Sequence, residues 1–256
     1  MINSILLSVI FFLLCSFSNT QENLVSKVYL WQDLFETKSL QGTDKSILAG
    51  STPVFSNIEV HATTLFPRNK VTSAADKYPG YEKLIIVKEG VLDFVINGAR
   101  SLVEEGGVIL VCTDDEYVII NNFDKPATWY TFRWKAKSIP PEEKLNKKSA
   151  VFQWDDLAFV PSANGGRRNV LQRPTAQLNE LEIHVTTLNA GLPSHAAHTH
   201  TDDEFILVKT GNVEMSVSGK PYKAGAGSLY FLKGEDPHGI RNIGDVACEY
   251  YAIRMK

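Results

Sequence analysis

The sequence predicts an all-β fold in which one unit occurs twice. Short runs rich in Val, Ile, Phe and Tyr alternate with Gly, Asn, Asp and Pro about every eight to twelve residues, as in antiparallel sheets. Sliding the chain against itself by about 123 residues brings Glu59–Leu65 (EVHATTL) onto Glu182–Leu188 (EIHVTTL). The alternation predicts the fold class, and the repeat predicts two copies of one fold.

Each copy has its own strand and turn signals. The clearest strand runs are residues 84–88, 91–98 and 108–112 in the first copy, and 205–209, 213–219 and 228–232 in the second. Asn97-Gly98 and Ser218-Gly219 each end a run and predict tight hairpin turns, because such turns need positive φ angles. Residues 139–148 contain a Pro-Pro pair and several charges but no apolar face, which indicates a linker.

The repeat also predicts domain bounds. We expect an N-terminal domain at 23–138, a linker at 139–148 and a C-terminal domain at 149–256. After the first matches the spacing between copies shortens, and the expected pairs are Glu82 with Glu204, Gly90 with Gly211, and Asn122 with Asn242.

The first eighteen residues predict export. Residues 5–17 form an almost unbroken apolar run that is too short to span a bilayer comfortably. We expect residues 1–18 to be a signal peptide and the mature protein to be secreted or periplasmic; an uncleaved anchor is the alternative. Cleavage removes Cys15 and leaves Cys112 and Cys248, one in each copy, unlike a disulfide-rich domain.

Composition excludes two classes of partner. The chain has 29 acidic and 26 basic residues, a net charge of -3, and 44% apolar residues typical of a globular protein. This balance provides no electrostatic reason to bind nucleic acid, or a membrane once the signal is removed. A small-molecule substrate is the expected partner.

A histidine cluster predicts a metal site in the second copy. His198 and His200 are separated by one residue, so on an extended strand they point to the same face. Glu204 follows four residues later, and His238 lies near the C-terminus. Three imidazoles and one carboxylate are a common ligand set for a divalent transition metal.

These residues resemble the two sequence signatures of the cupin superfamily. The matching positions are Gly191, His198, His200, Glu204 and Gly211 for the first signature, and Gly227, His238 and Asn242 for the second. The chain has one extra residue between Gly191 and His198. The resemblance covers both copies and implies two tandem cupin jelly-roll (double-stranded β-helix) barrels. It further implies one divalent metal, which could be Mn, Fe, Ni, Cu or Zn, and a possible homodimer.

The first copy keeps the strand pattern but not the ligands. In the expected register Asp76 and Tyr78 stand opposite His198 and His200, and Val118 stands opposite His238. Glu82 and Asn122 appear unchanged. We therefore expect no metal in the first copy.

Other polar residues have two interpretations each. His195 could reach the site as an acid or base, although a rim position is the commoner role. His61 and His184 occupy equivalent places in both copies, which favours a shared structural hydrogen bond. Arg167 and Arg168 could bind an anionic substrate or lie in an exposed turn.

Two classes of function are consistent with these features. The first is an exported metal-dependent enzyme of the dioxygenase, isomerase or hydrolase type that acts on a small oxygenated molecule. The second is a non-catalytic protein that binds a sugar or another small ligand; a ureidoglycine aminohydrolase-like hydrolase is a minor alternative. Cupins of the oxalate decarboxylase kind hold metal in both halves, unlike our expectation here. The pocket lining is expected from Phe205, Leu207, Met215 and Tyr230.

Overall fold

The computed structural model describes residues 22–73 and 79–256, and it confirms the all-β prediction. Its helical segments in these ranges include single 3-10 turns at Trp31–Asp33, Glu142–Lys144 and Trp154–Asp156. No helix within the described ranges has the length and apolar character needed to cross a membrane. The predicted signal segment, residues 1–18, lies outside the described residues.

The first barrel pairs a seven-stranded sheet with a four-stranded sheet. The larger sheet has the order β12 (Ala150–Phe152), β9 (Val108–Val111), β6 (Glu82–Glu89), β11 (Ala127–Ala136), β4 (Phe55–Leu65), β3 (Gly42–Gly50), β2 (Glu36–Lys38). The smaller has the order β5 (Lys70–Thr72), β10 (Tyr117–Ile120), β7 (Val91–Ile96), β8 (Ala99–Glu104).

The second barrel repeats this layout with a seven-stranded and a three-stranded sheet. The larger sheet has the order β1 (Lys27–Tyr29), β19 (Leu229–Leu232), β16 (Asp203–Thr210), β21 (Cys248–Met255), β15 (Leu181–Leu188), β14 (Gly165–Arg173), β13 (Phe159–Ser162). The smaller has the order β18 (Lys220–Gly225), β17 (Asn212–Val217), β20 (His238–Asn242). The fold is therefore two tandem jelly-roll barrels.

The two barrels exchange edge strands. β1, near the start of the described chain, pairs with β19 of the second barrel, and β12, which follows the expected linker, pairs with β9 of the first. Trp31 then packs against Gly227, and Trp154 packs against Gly106 in the same way. Each barrel is therefore completed by a segment from the other half of the chain.

Three apolar clusters account for the cores. One fills each barrel, and the third lies between the two seven-stranded sheets. In that third cluster the rings of Phe132 and Phe205 meet edge to face with centroids 5.5 Å apart. Because strand side chains alternate between faces, each large sheet sends one set of residues to this interface and the other into its own barrel.

Both predicted hairpin turns are confirmed. Asn97 and Gly98 have φ angles of 46° and 82°, and Ser218 and Gly219 have 48° and 80°. Positive φ at both central residues is the conformation that joins twisted antiparallel strands through two residues. β7 and β8, like β17 and β18, therefore meet through the turns that the dipeptides indicated.

The expected register between copies is wrong by one residue at three positions, Asn122, Val118 and Glu82. Asn121, not Asn122, makes the contacts of Asn242, since both side chains donate from Nδ2 to two carbonyl oxygens. These acceptors are Leu65 and Lys125 in the first barrel, and Leu188 and Val246 in the second. The side chain of Asn242 therefore stabilises a turn and does not enter the cavity.

The second correction concerns the partner of His238. Tyr117 pairs with Ile96 as His238 pairs with Val217. Tyr117, not Val118, therefore stands where the second barrel has His238. A shift of one residue sends a side chain to the opposite face of a strand, so this correction changes which group lies inside the first barrel.

Candidate metal centre

The structure brings the four predicted ligands together in the second barrel. The closest ring nitrogens of His198, His200 and His238 all lie within 4.8 Å of one another. Glu204 Oε2 lies 3.0 Å from Nε2 of His200 and 3.0 Å from Nε2 of His238. Imidazoles far apart along the chain therefore converge on one carboxylate.

Strand geometry positions these groups. Glu204 and Ile206 alternate with Phe205 along β16, so Phe205 packs in the interface between the sheets while its neighbours face the cavity. His238 begins β20, and its backbone exchanges two 3.0 Å hydrogen bonds with His198. This isolated bridge holds the otherwise irregular segment with His198 against the barrel.

Backbone carbonyl groups orient two of the rings. Nδ1 of His200 lies 2.9 Å from the carbonyl oxygen of Asp202, and Nδ1 of His238 lies 2.8 Å from that of Asp236. A carbonyl oxygen only accepts hydrogen bonds, so each Nδ1 carries the proton and Nε2 faces Glu204. A lone pair facing a carboxylate at 3.0 Å needs a proton or a shared cation between them, and this donor set fits a divalent metal.

The electrostatics of the cluster follow from these contacts. Burial alone would raise the pKa of Glu204, but the hydrogen bonds from His200 and His238 outweigh it and lower that pKa to about 2. For His238, burial opposes protonation, yet the bond to Glu204 raises its pKa. Burial and the neighbouring His195 lower the pKa of His198. The carboxylate thus stays ionised, as a metal ligand must.

Three members of the cluster, His198, Glu204 and His238, line a cavity of ≈ 520 Å³. Met215 lines it, as expected, together with Ile206, Tyr250 and Ala252. The other expected lining residues do not: Phe205 and Leu207 belong to the interface between the sheets, and Tyr230 belongs to the barrel core, where its hydroxyl donates to the carbonyl oxygen of Tyr222. The cavity is large enough for a small organic ligand.

His184 is a cavity residue that sequence reasoning excluded. Glu182, His184 and Thr186 share one face of β15 and line the cavity, whereas Ile183 and Val185 face the interface. Nδ1 of His184 lies 3.4 Å from Glu182 but makes no hydrogen bond with it. The alternation of side chains along β15 could have indicated that His184 faces the cavity. The comparison with His61 in the first copy tested only whether His184 is a metal ligand.

His195 and the two neighbouring arginines fall in different places. His195 is exposed at the cavity rim, and its ring lies 4.4 Å from that of His198. Arg167 lines the cavity, whereas the guanidinium of Arg168 stacks over Trp154 at 4.9 Å and donates to the Leu157 carbonyl. Arg167 and Arg168 therefore have different roles although they are adjacent in the chain.

The first barrel has a lysine where the second has its carboxylate. Lys83 pairs with Arg133 as Glu204 pairs with Arg254, so Lys83, not Glu82, is the counterpart of Glu204. Glu82 instead accepts hydrogen bonds from Thr175 Oγ1 and from the backbone N–H groups of Ala176 and Gln177, in the second half of the chain.

Lys83 and Tyr117 also interact inside the first barrel. Lys83 is buried, with 5% of the residue exposed, and its ammonium lies 5.8 Å from the centre of the Tyr117 ring. A fixed positive charge at this position repels a metal cation. Asp76 and Tyr78, the expected counterparts of His198 and His200, lie outside the described residues.

Comparison with known proteins supports the cupin superfamily. The sequence model of the cupin domain family matches residues 184–254, which include the four clustered side chains. A comparison with curated protein sequences found no match.

Solved structures share the fold across nearly the whole chain. The Ylba protein of E. coli is 12% identical with a TM-score of 0.70, and the match covers 93% of this chain and 95% of that one. AerE of Microcystis aeruginosa is 11% identical, with a TM-score of 0.68 and coverages of 90% and 98%. Oxalate decarboxylase of Lactobacillus farciminis, in complex with formate, is 11% identical, with a TM-score of 0.68 and coverages of 92% and 88%. At this identity the likeness shows the cupin fold.

Proposed function

We propose that this protein is an exported, metal-dependent bicupin enzyme that acts on a small oxygenated molecule, with dioxygenase, isomerase or hydrolase chemistry. His198, His200, His238 and Glu204 would hold one divalent transition metal, Mn, Fe, Ni, Cu or Zn. The observation that carries the proposal is the convergence of these four groups, three of which (His198, Glu204 and His238) line one cavity. Three neutral imidazoles and one carboxylate would give a centre with a net charge of about +1.

The chain's own residues provide the setting for this chemistry. A bound divalent metal would polarise an oxygen of the substrate or lower the pKa of a bound water or hydroxyl. Glu204 supplies the negative charge, and the carbonyl groups of Asp202 and Asp236 keep His200 and His238 in the orientation that presents Nε2. Met215 and Ile206 on the cavity wall exclude water on that side, which strengthens the electrostatic interactions.

The proposal includes the organisation of the chain. Residues 1–18 act as the signal peptide, 23–138 and 149–256 form the two duplicated domains, and 139–148 link them. Equivalent strand orders in the two large sheets support the duplication. Strand exchange means that residues 27–29 and 150–152 each lie in the sheet of the opposite barrel.

Elemental analysis of the purified mature protein tests the proposal. We expect about one metal atom per chain in the wild type and a large loss of metal in His198→Ala and His200→Ala. His61→Gln is the matched control, because His61 lies in the first barrel, 3.2 Å from Asp44. Two atoms per chain, or full metal content in both alanine variants, would contradict the proposed site.

Turnover separates the enzyme from the non-catalytic alternative. If the protein is an enzyme, activity on a small oxygenated substrate should disappear in His198→Ala and His200→Ala, while the circular dichroism spectrum and the melting temperature stay close to those of the wild type. Unchanged ligand binding in these variants, with no turnover in the wild type, would favour a binding protein.

A further inference from the structure

Arg167 provides a positive charge inside the cavity that the proposed metal centre does not use. Its Nη2 lies 3.2 Å from Glu182 Oε1, and its Nε donates to Asn169 Oδ1 at 2.5 Å. Nη1 makes no hydrogen bond to the described part of the chain. About 45% of the side chain is exposed, so part of the guanidinium remains accessible from the cavity.

The first barrel has the opposite charge at this position. Arg167 pairs with Thr186 as Asp44 pairs with Thr63, so these two residues are structural counterparts. Asp44 lies 3.2 Å from Nδ1 of His61 and accepts a bond from Thr63 at 2.8 Å. In the second barrel a guanidinium therefore replaces the carboxylate that satisfies the equivalent histidine.

Hydrogen-bond donors outnumber acceptors on this wall. Glu182 faces Arg167 at 3.2 Å, Arg254 at 3.4 Å and His184 at 3.4 Å, and Arg254 also pairs with Asp202 at 2.6 Å. Nε of Arg254 and Nδ1 of His184 are both buried without a hydrogen-bond partner. Neither of these two atoms is accessible from the cavity, so an acceptor that enters it meets the part-exposed guanidinium of Arg167.

The formal charges around the cavity indicate the charge of its ligand. Arg167 and Arg254 contribute two positive charges, and Glu182 and Asp202 contribute two negative ones, which leaves zero. The proposed metal centre adds about +1. One further negative charge would make the cavity neutral, and a monoanionic carboxylate matches both this charge and the planar geometry of a guanidinium.

We propose that Arg167 binds a carboxylate of the substrate, so that the substrate is a small organic acid with a second oxygen directed to the histidine cluster. This inference rests on the proposed function for the charge count and for the second oxygen, whereas the accessible guanidinium of Arg167 does not depend on it. Arg254 and His184 line the same cavity. Arg168, which stacks on Trp154, has no part in binding.

Calorimetry with paired probes tests the inference. The probes are glycolate, 3-hydroxypropionate and 4-hydroxybutyrate, each compared with its neutral amide, on Zn²⁺-loaded and on chelator-treated protein. We expect the wild type to prefer at least one acid over its amide by about tenfold, the effect of one charge-assisted hydrogen bond. Arg167→Gln should abolish the preference in both preparations, and Arg167→Asp should abolish it as well.

Arg241→Gln is the matched control, because Arg241 is exposed on the same barrel and does not line the cavity. It should keep the preference. An acid preference that persists in Arg167→Gln would overturn the inference, as would binding of inorganic phosphate in preference to every acid. Melting temperatures of the variants show whether each is folded.

Metal analysis of the same samples separates the two proposals. One metal atom per chain with an acid preference independent of Arg167 would refute only the carboxylate site. Absence of metal together with an acid preference that Arg167→Gln abolishes would refute the metal enzyme and leave the carboxylate site supported.

Discussion

Gly227→Ala should weaken the strand exchange that completes the second barrel. Gly227 has a φ of 89°, and a Cβ placed there would lie 2.8 Å from Cγ and Cδ2 of Trp31. The left-handed backbone costs an alanine about 1–2 kcal/mol. Displacing a packed indole adds about 1–3 kcal/mol. We therefore expect the free energy of unfolding to fall by about 2–5 kcal/mol.

Gly219→Ala is the control for the backbone cost. Gly219 has a φ of 80°, and nothing lies within 4 Å of an added Cβ. This variant should lose only about 1–2 kcal/mol. Urea unfolding followed by tryptophan fluorescence measures both losses, and Trp31 itself reports its displacement in the folded state.

A double substitution checks the assignment to Trp31. In a Trp31→Ala background, Gly227→Ala should cost no more than Gly219→Ala, because the clash is gone. Equal losses for Gly227→Ala and Gly219→Ala in the wild-type background would refute the packing argument.

Three further predictions concern the site and the first barrel. Glu204→Gln keeps the side-chain shape but removes the charge, so metal affinity measured by chelator competition should fall by more than about tenfold; an unchanged affinity would exclude Glu204 as a ligand. Asn242→Ala and Asn121→Ala each leave two carbonyl groups unpaired, so chemical unfolding should show that the free energy of unfolding falls by about 2–4 kcal/mol in both variants. Asn121→Ala, which changes the first barrel, should keep its metal content. Burial lowers the pKa of His61, but its hydrogen bonds to Asp44 and Glu59 outweigh burial and raise that pKa. Burial raises the pKa of Asp44, but the hydrogen bonds from His61 and Thr63 outweigh it and lower that pKa. The stabilisation of this pair is lost as pH rises through the His61 pKa and as pH falls through the Asp44 pKa. The difference in free energy of unfolding between wild type and His61→Gln should therefore be largest between about pH 4 and 6.5, where it should not exceed about 1 kcal/mol. A difference that is constant with pH would contradict it.

Local patterns predicted the strands and both hairpins because these depend on neighbouring residues. The clustering of His198, His200, His238 and Glu204 was also predicted, although His198 and His200 lie in an irregular segment and not on the extended strand that the spacing indicated. The carboxylate and its imidazoles then converge as the barrel closes.

The register between copies was wrong for a physical reason. Where the expected register was wrong, one copy often has two chemically similar residues next to each other, such as Asp203 and Glu204 or Asn121 and Asn122. Matching by residue type selects the wrong member of each pair. Only the hydrogen-bonded partners across the sheet decide which side chain faces the barrel.

The exchanged strands could not be predicted either. β1 and β12 are three residues long, and short edge strands carry little information about which sheet they join. Their partners are chosen by contacts such as Trp31 on Gly227, which link residues far apart in the sequence.

The reciprocal edge strands have a consequence for biosynthesis. Translation proceeds from the N-terminus, so β9 in the first barrel has an open edge until residue 152 leaves the ribosome. β1 stays unpaired for longer, because its partner β19 is among the last strands to be synthesised. A nascent chain arrested between the halves would expose unpaired backbone on β1 and β9, and the large sheet of the second barrel cannot close until the ribosome has released almost the whole polypeptide.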